Sequence, residues 1–160
     1  MPYYNSLHPK TIDDVFQSPS CSIAVMNKEL GAMKVQAFVG LMIADTVLFF
    51  NVGKMMNANQ VGATANMIIE EYYYLKPDDF KLCFNRAKKG YYGKVYDRID
   101  GQVIFDWLNT YSSERISQAE TIQIQEHARY KHDPYKRTSD THALAEHAAK
   151  LFAFEREYKK

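Results

Sequence analysis

Cysteine is almost missing from this chain: Cys21 and Cys83 are the only two in 160 residues. Two thiols cannot form a disulfide framework and are too few for a cysteine-built zinc site. Cys83 falls on an apolar helix face, so both thiols are expected to be free and buried, as in a reducing compartment. Charge of one sign is equally scarce. Lysine plus arginine total 20 against 19 acids, so no global field holds the protein on DNA or on a membrane surface. Long apolar runs are lacking too. The most apolar region, Ala37–Phe50, has only eight residues before Asp45 interrupts it, short of the ~20 that span a bilayer. The opening MPYYNSLHPK has no basic segment leading into an apolar run, so no secretory signal is expected. These absences together point to a soluble cytoplasmic protein with no membrane partner.

The chemistry-bearing motifs are missing as well. Gly93-Lys94 is followed by Val95 rather than Ser or Thr, and Gly90 lies too close for a P-loop, which needs four residues between its glycines. His127 with His132, and His142 with His147, are spaced by five, so neither pair shares a helical face as an i, i+4 metal pair does. Asp97-x-x-Asp100-Gly101 lacks the alternating oxygen ligands of a calcium loop, and Asp100 is better placed as a helix cap. Glu70-Glu71 and Asp78-Asp79 are adjacent pairs that point in different directions, not an acid–base couple. No catalytic residue, metal site or cofactor is expected.

What the sequence does carry is helical punctuation. With 46% hydrophobic residues, a globular fold with a real core is expected. Residues 1–20 hold Pro2, Pro9 and Pro19 among serines and read as an irregular arm, with one turn near Thr11–Phe16. A first helix follows Ser20 and stops at Gly31. A second, from Ala32 to about Asn51, is apolar around almost its whole circumference, the pattern of a central bundle element. The third has Asn57 and Gln60 at capping-box spacing and a stripe of Val61, Ala65, Ile68, Tyr72 and Leu75. Pro77 with Asp78 and Asp79 suits the start of a fourth, whose stripe is Phe80, Cys83, Phe84 and Ala87 and whose end is marked by Lys88, Lys89 and Gly90. A fifth begins after Asp100, presents Val103, Ile104, Trp107, Leu108 and Tyr111 inward, and continues as a polar rod to about Tyr130. Trp107 is expected against the stripes of the third and fourth helices. Ser139 caps a last helix with Leu144, Ala148, Leu151 and Phe152. The expected fold is an all-α, single-domain bundle of five to six helices with a long polar helix extending from it, divided as a 1–20 arm, a 21–112 core and a 113–160 extension.

One loop stands apart. From Arg86 to Arg98 there are five basic residues (Arg86, Lys88, Lys89, Lys94, Arg98), three tyrosines (Tyr91, Tyr92, Tyr96) and a single acid, Asp97. By region, net charge is −2 over residues 1–75, +2 over 76–112 and +1 over 113–160, so only this cluster concentrates it. Gly90-Tyr91-Tyr92-Gly93 has the form of a KH-type GXXG clamp, but Lys94–Ile99 intervenes before the next helix and no strands are predicted. The same residues admit three readings. Lysines and arginines can meet phosphates while tyrosines stack on unpaired bases. They can equally form a protein-binding surface, or Tyr92, Tyr96 and Ile99 can fold back as cover for the core. Lys88, Lys89, Tyr91, Tyr92, Lys94, Tyr96 and Arg98 are the candidate partner or nucleic-acid contacts.

Residues 20–120, through the runs FFNVGKMMNANQVGATANMIIEEYYY and YYYLKPDDFKLCFNRAKKGYYGKVYDRIDGQVIFDWLNTYSSER, resemble a family of small, poorly characterised proteins of gut-bacterial phages and conjugative elements. The helix order is also similar to the helical N-terminal module of phage replisome organisers and helicase loaders: a capped helix ending in Leu, a helix introduced by Asp-Phe, a glycine loop and a Trp-bearing helix. The resemblance implies a non-enzymatic accessory protein of DNA replication in a bacterial host cell. Its partner would be a helicase, another replisome protein or DNA, a protein being favoured. The alternative is a virion component or a host-directed inhibitor. No Walker motif is present, so the ATP-dependent loaders are not the relevant comparison.

Overall fold

The structure, a computed structural model, describes residues 2–50 and 52–132. Among these the chain is all-α, with seven helices and no strand: α1 (Pro2–Ser6), α2 (Ile12–Gln17), α3 (Ile23–Leu30), α4 (Ala32–Phe49), α5 (Ala58–Glu71), α6 (Pro77–Lys88) and α7 (Gly101–His132). Met1–Arg115 is one compact unit, and the chain from Ile116 onward is a second. The last helix predicted after Ser139, with its stripe of Leu144, Ala148, Leu151 and Phe152, lies outside the described residues.

Local signals set most of these elements. Ser22 accepts from the Val25 amide at the start of α3. The first α3 amides are satisfied from the α5–α6 connection, Ile23 N–H donating to Leu75 and Ala24 N–H to Tyr73, both at 2.8 Å. Asn57 and Gln60 form the reciprocal capping box that opens α5, each bond at 2.9 Å. Pro77 takes the first position of α6, where a missing N–H costs nothing. Gly101 opens α7 against Thr64 of α5, and a β-carbon there would lie 2.9 Å from the threonine hydroxyl.

The core of the first unit gathers one face of each helix. Val35, Val39, Met42 and Ile43 of α4, Ala65 and Ile68 of α5, Phe80, Cys83 and Phe84 of α6, and Ile104, Leu108 and Tyr111 of α7 are buried. Trp107 is 4% exposed, and its ring meets Phe50, just past α4, at a centroid distance of 5.6 Å. The apolar stripes alone do not place that neighbour beside it.

Three expectations are corrected. Residues 1–20 hold the turn expected near Thr11–Phe16, as α2, but are otherwise not an irregular arm. They form α1 and α2, and Tyr4, Ile12 and Val15 are core residues, with the Lys81 ammonium 4.3 Å above the Tyr4 ring. Cys21 is exposed, while Cys83 is buried and burial pushes its thiol up to about 12. Finally, α4 is not enclosed on all sides. By length and composition it is apolar enough to cross a membrane. One face is nevertheless committed to the protein core, while Met33, Leu41, Leu48 and Phe49 are exposed.

Truncating Trp107 to alanine removes a large enclosed ring from the junction of α4 and α7. Urea denaturation of Trp107→Ala should show a loss of about 3–5 kcal/mol, and a nearly neutral result would contradict this core assignment.

Candidate functional site

The N-terminus of α6 fixes the frame. Asp79 is fully buried, and its Oδ2 accepts the Lys76 amide at 2.8 Å. Its Oδ1 accepts the Tyr111 hydroxyl and the Arg115 Nε, each at 2.8 Å. Burial and the neighbouring Asp79 carboxylate raise the Tyr111 hydroxyl, which stays a donor. Lys76 Nζ donates to the Val15 and Ser18 carbonyls at 3.1 and 2.8 Å, and Ser20 donates to Asp78. Pro77 and its three polar neighbours therefore tie α2, α6 and α7 together.

At its other end α6 closes in a Schellman motif. The Gly90 amide donates to Ala87 at 2.8 Å and the Tyr91 amide to Arg86 at 3.0 Å, with Gly90 at φ +78°. Gly93, at φ +102°, turns the chain again. The loop then runs beside Lys54, whose amide donates to Asp97 at 3.2 Å and whose carbonyl accepts from Ile99 at 3.0 Å. This is an isolated bridge, and it seats Ile99 in the core. Asp100 accepts the Val103 amide at 3.3 Å and so caps α7, as its position in sequence predicts.

This path brings some of the seven candidate residues together and separates others. Tyr91, Tyr92, Lys94, Tyr96 and Arg98 line a cleft of about 960 Å³, whose remaining walls are Lys54, Gly93, Val95, Asp97 and the α7 residues Val103, Asp106, Trp107, Thr110 and Glu114. Tyr96 is 84% exposed and does not fold back as core cover. Tyr92 does: its ring packs against the core, and its enclosed hydroxyl has no hydrogen-bond partner among the described residues. Burial, with Cys83 beside it, raises that hydroxyl. Lys89 is exposed at the end of α6 and does not line the cleft. Lys88 turns to α4, donating to Asp45 at 2.9 Å with its ammonium 5.4 Å above the Phe49 ring.

The basic excess of the loop is largely cancelled in space. Arg86 pairs with Glu114 at 2.8 Å, Arg98 with Asp100 at 3.2 Å, and Lys88 with Asp45. Glu114 also accepts the Tyr91 hydroxyl at 3.2 Å, and the Arg86 guanidinium lies 5.1 Å from that ring. In the cleft itself Lys54, Lys94 and Arg98 face Asp97, Asp106 and Glu114, three charges of each sign. Such a surface favours a ligand bearing both signs. Among the described residues, no three His, Cys, Asp or Glu side chains are grouped as metal ligands.

The α7 wall is the part that sequence reasoning missed. Asp106, Thr110 and Glu114 recur every four residues, a polar stripe beside the Val103–Trp107 face. That spacing is a signal present in the sequence, overlaid by the apolar stripe interleaved with it.

Fold and cleft together define a small all-helical protein with a ring-lined, charge-balanced surface cleft. The chain belongs to a family of unknown function, DUF6633, whose model matches residues 54–150. The match opens at Lys54 and includes every residue that lines the cleft. No curated protein and no solved structure matches the chain.

Gly90 has no atom within 4 Å of a built β-carbon, so its requirement is one of backbone, not space. Gly90→Val should cost about 1–2 kcal/mol in thermal denaturation, and Gly90→Asn, which tolerates this conformation, should cost less. Equal melting of all three proteins would contradict the assignment.

Proposed function

We propose that the chain is a non-enzymatic interaction protein that holds a segment of a protein partner in the cleft between the 91–98 loop and α7. The observation that carries this reading is the composition of the cleft. Tyr91 and Tyr96 offer exposed ring surface over a floor of Tyr92 and Trp107, while three bases and three acids offer paired charges. Tyrosine, tryptophan and arginine are the side chains enriched where proteins bind proteins. A phosphate backbone, by contrast, would meet Asp97, Asp106 and Glu114 along with the bases, which weakens the counterion-release term that drives nucleic-acid binding.

The biological setting rests on the resemblance to proteins of gut-bacterial phages and conjugative elements and to the helical module of replisome organisers and helicase loaders. On that basis the partner is a replicative helicase or another replisome protein, met in the cytoplasm of the bacterial host. A second reading, a virion component or host-directed inhibitor, draws on the exposed apolar face of α4.

Reversal of Lys94, which lines the cleft, together with Lys89 at the adjoining end of α6, neither of which forms an ion pair among the described residues, tests the site without touching the core. Affinity capture of the tagged protein from phage- or element-bearing cells should return a replisome protein with the wild type. Lys89→Glu/Lys94→Glu and Tyr96→Ala should each lose it while the melting curve is unchanged. If the variant instead loses binding to single-stranded DNA whose log–log salt slope is about −2 to −4, the ligand is nucleic acid and the protein-partner reading fails. Retention of every interaction would make the loop ordinary structure.

A further inference from the structure

The exposed face of α4 lies outside the cleft and is not explained by it. A groove of about 650 Å³ runs along this face, walled by α4 on one side and by Met55, Met56, Val61 and Gly62 on the other. Met33, Leu48, Leu41 and Met55 rise around it, 83%, 72%, 54% and 50% exposed, and Phe49 flanks it at 58%. Monomeric soluble proteins rarely leave so many large apolar side chains contiguous and uncovered. We propose that this face is the contact between two copies of the chain, paired antiparallel through α4 about a two-fold axis.

The spacing of the stripe supports a second copy over other occupants. Ala37, Leu41, Ala44 and Leu48 follow steps of four, three and four, the period of helices packed as a coiled-coil pair. An axis near Leu41 sets Ala37 of one copy against Ala44 of the other, so that the backbones approach closely at the small residues. The same axis sets Met33 against Leu48, and each copy's protruding side chains meet the other's groove.

Charge fits the same arrangement. Lys34 and Asp45 are the only charged residues of α4, and they lie on one flank of the stripe. In an antiparallel two-fold pair identical flanks face each other, so Lys34 of each copy meets Asp45 of its mate. Asp45 keeps 52% of its side chain exposed while accepting from Lys88, which leaves room for that second cation.

Area closes the case. At roughly 150–200 Å² for a fully exposed side chain of this size, the four exposed apolar residues that line the groove carry on the order of 400–500 Å² per copy. A pair therefore covers on the order of 1,000 Å², where specific interfaces begin. A bilayer would also accept apolar side chains, but Lys34 and Asp45 flank the stripe one near each end, and sinking the whole face into hydrocarbon would desolvate both charges.

Sedimentation equilibrium of the full chain over about 1–100 µM should show a mass twice that of one chain at the upper end. Leu41→Arg should raise the dissociation constant at least about tenfold with an unchanged melt. In a Cys21→Ser background, Leu41→Cys should cross-link to a disulfide dimer on mild oxidation far more completely than Met67→Cys, an exposed position on the opposite face of α5. A wild type that stays monomeric throughout the range overturns the proposal, and so does equal cross-linking of the two cysteine variants. Flotation of a monomeric wild type with phosphatidylglycerol vesicles, abolished by Leu41→Arg, would likewise overturn it and assign the face to a membrane.

Discussion

The carboxylate of Asp79 is the charge around which the first unit is arranged. It has no exposure to water, and taking a charge out of water costs several kcal/mol unless good partners meet it. The partners come from three directions: the Lys76 amide within its own capping box, the Tyr111 hydroxyl and the Arg115 side chain. Arg115 in turn lies 4.9 Å from the Phe16 ring and 5.9 Å from Tyr74, so its charge is shared with aromatic faces from the N-terminal region and the α5–α6 connection. Lys76 reaches the other way, into the carbonyls at the end of α2. Removing Asp79 would deprive the Tyr111 hydroxyl and the Arg115 guanidinium of their shared acceptor at once.

That arrangement fixes the cleft at a distance. Tyr111 and Arg115 hold α7 to the first turn of α6, and Arg86 with Glu114 holds the two helices again near the last turn of α6. Between these struts α6 and α7 have one relative register. The loop that joins them therefore has a set span, which Gly90 and Gly93 turn and Lys54 pins at Asp97 and Ile99. Tyr91 is drawn to Glu114 and Tyr92 into the core, while Lys94 and Tyr96 face outward at the crest. The exposure of the crest is thus a consequence of satisfied groups on either side of it.

Where the information is local, the sequence was legible. The Asn57–Gln60 box, Pro77 at the start of α6, the left-handed Gly90 and the Asp100 cap each rest on residues within one helical turn, and the structure has all four. Of the N-terminal helices α2 was legible as the turn near Thr11–Phe16, opened by its own Thr11–Asp14 capping box. The five-residue α1 was not, because it is held through Tyr4 against Phe38 and Lys81, distant in sequence. Apolarity around all of α4 could not distinguish a face that meets the core from one that does not. The local count of five bases to one acid was true in sequence and misleading in space, since Asp45, Asp100 and Glu114 are drawn from elsewhere to answer it.

If Asp79 organises the unit, its coupling to Arg115 should be measurable by a double-mutant cycle in urea. Asp79→Asn and Arg115→Met should each cost about 3–5 kcal/mol, because each leaves the other group buried without its partner. The double variant should cost less than the sum of the two by about 1–3 kcal/mol. Single losses below about 1 kcal/mol that simply add would show the pair to be peripheral, and the account built on it would fail.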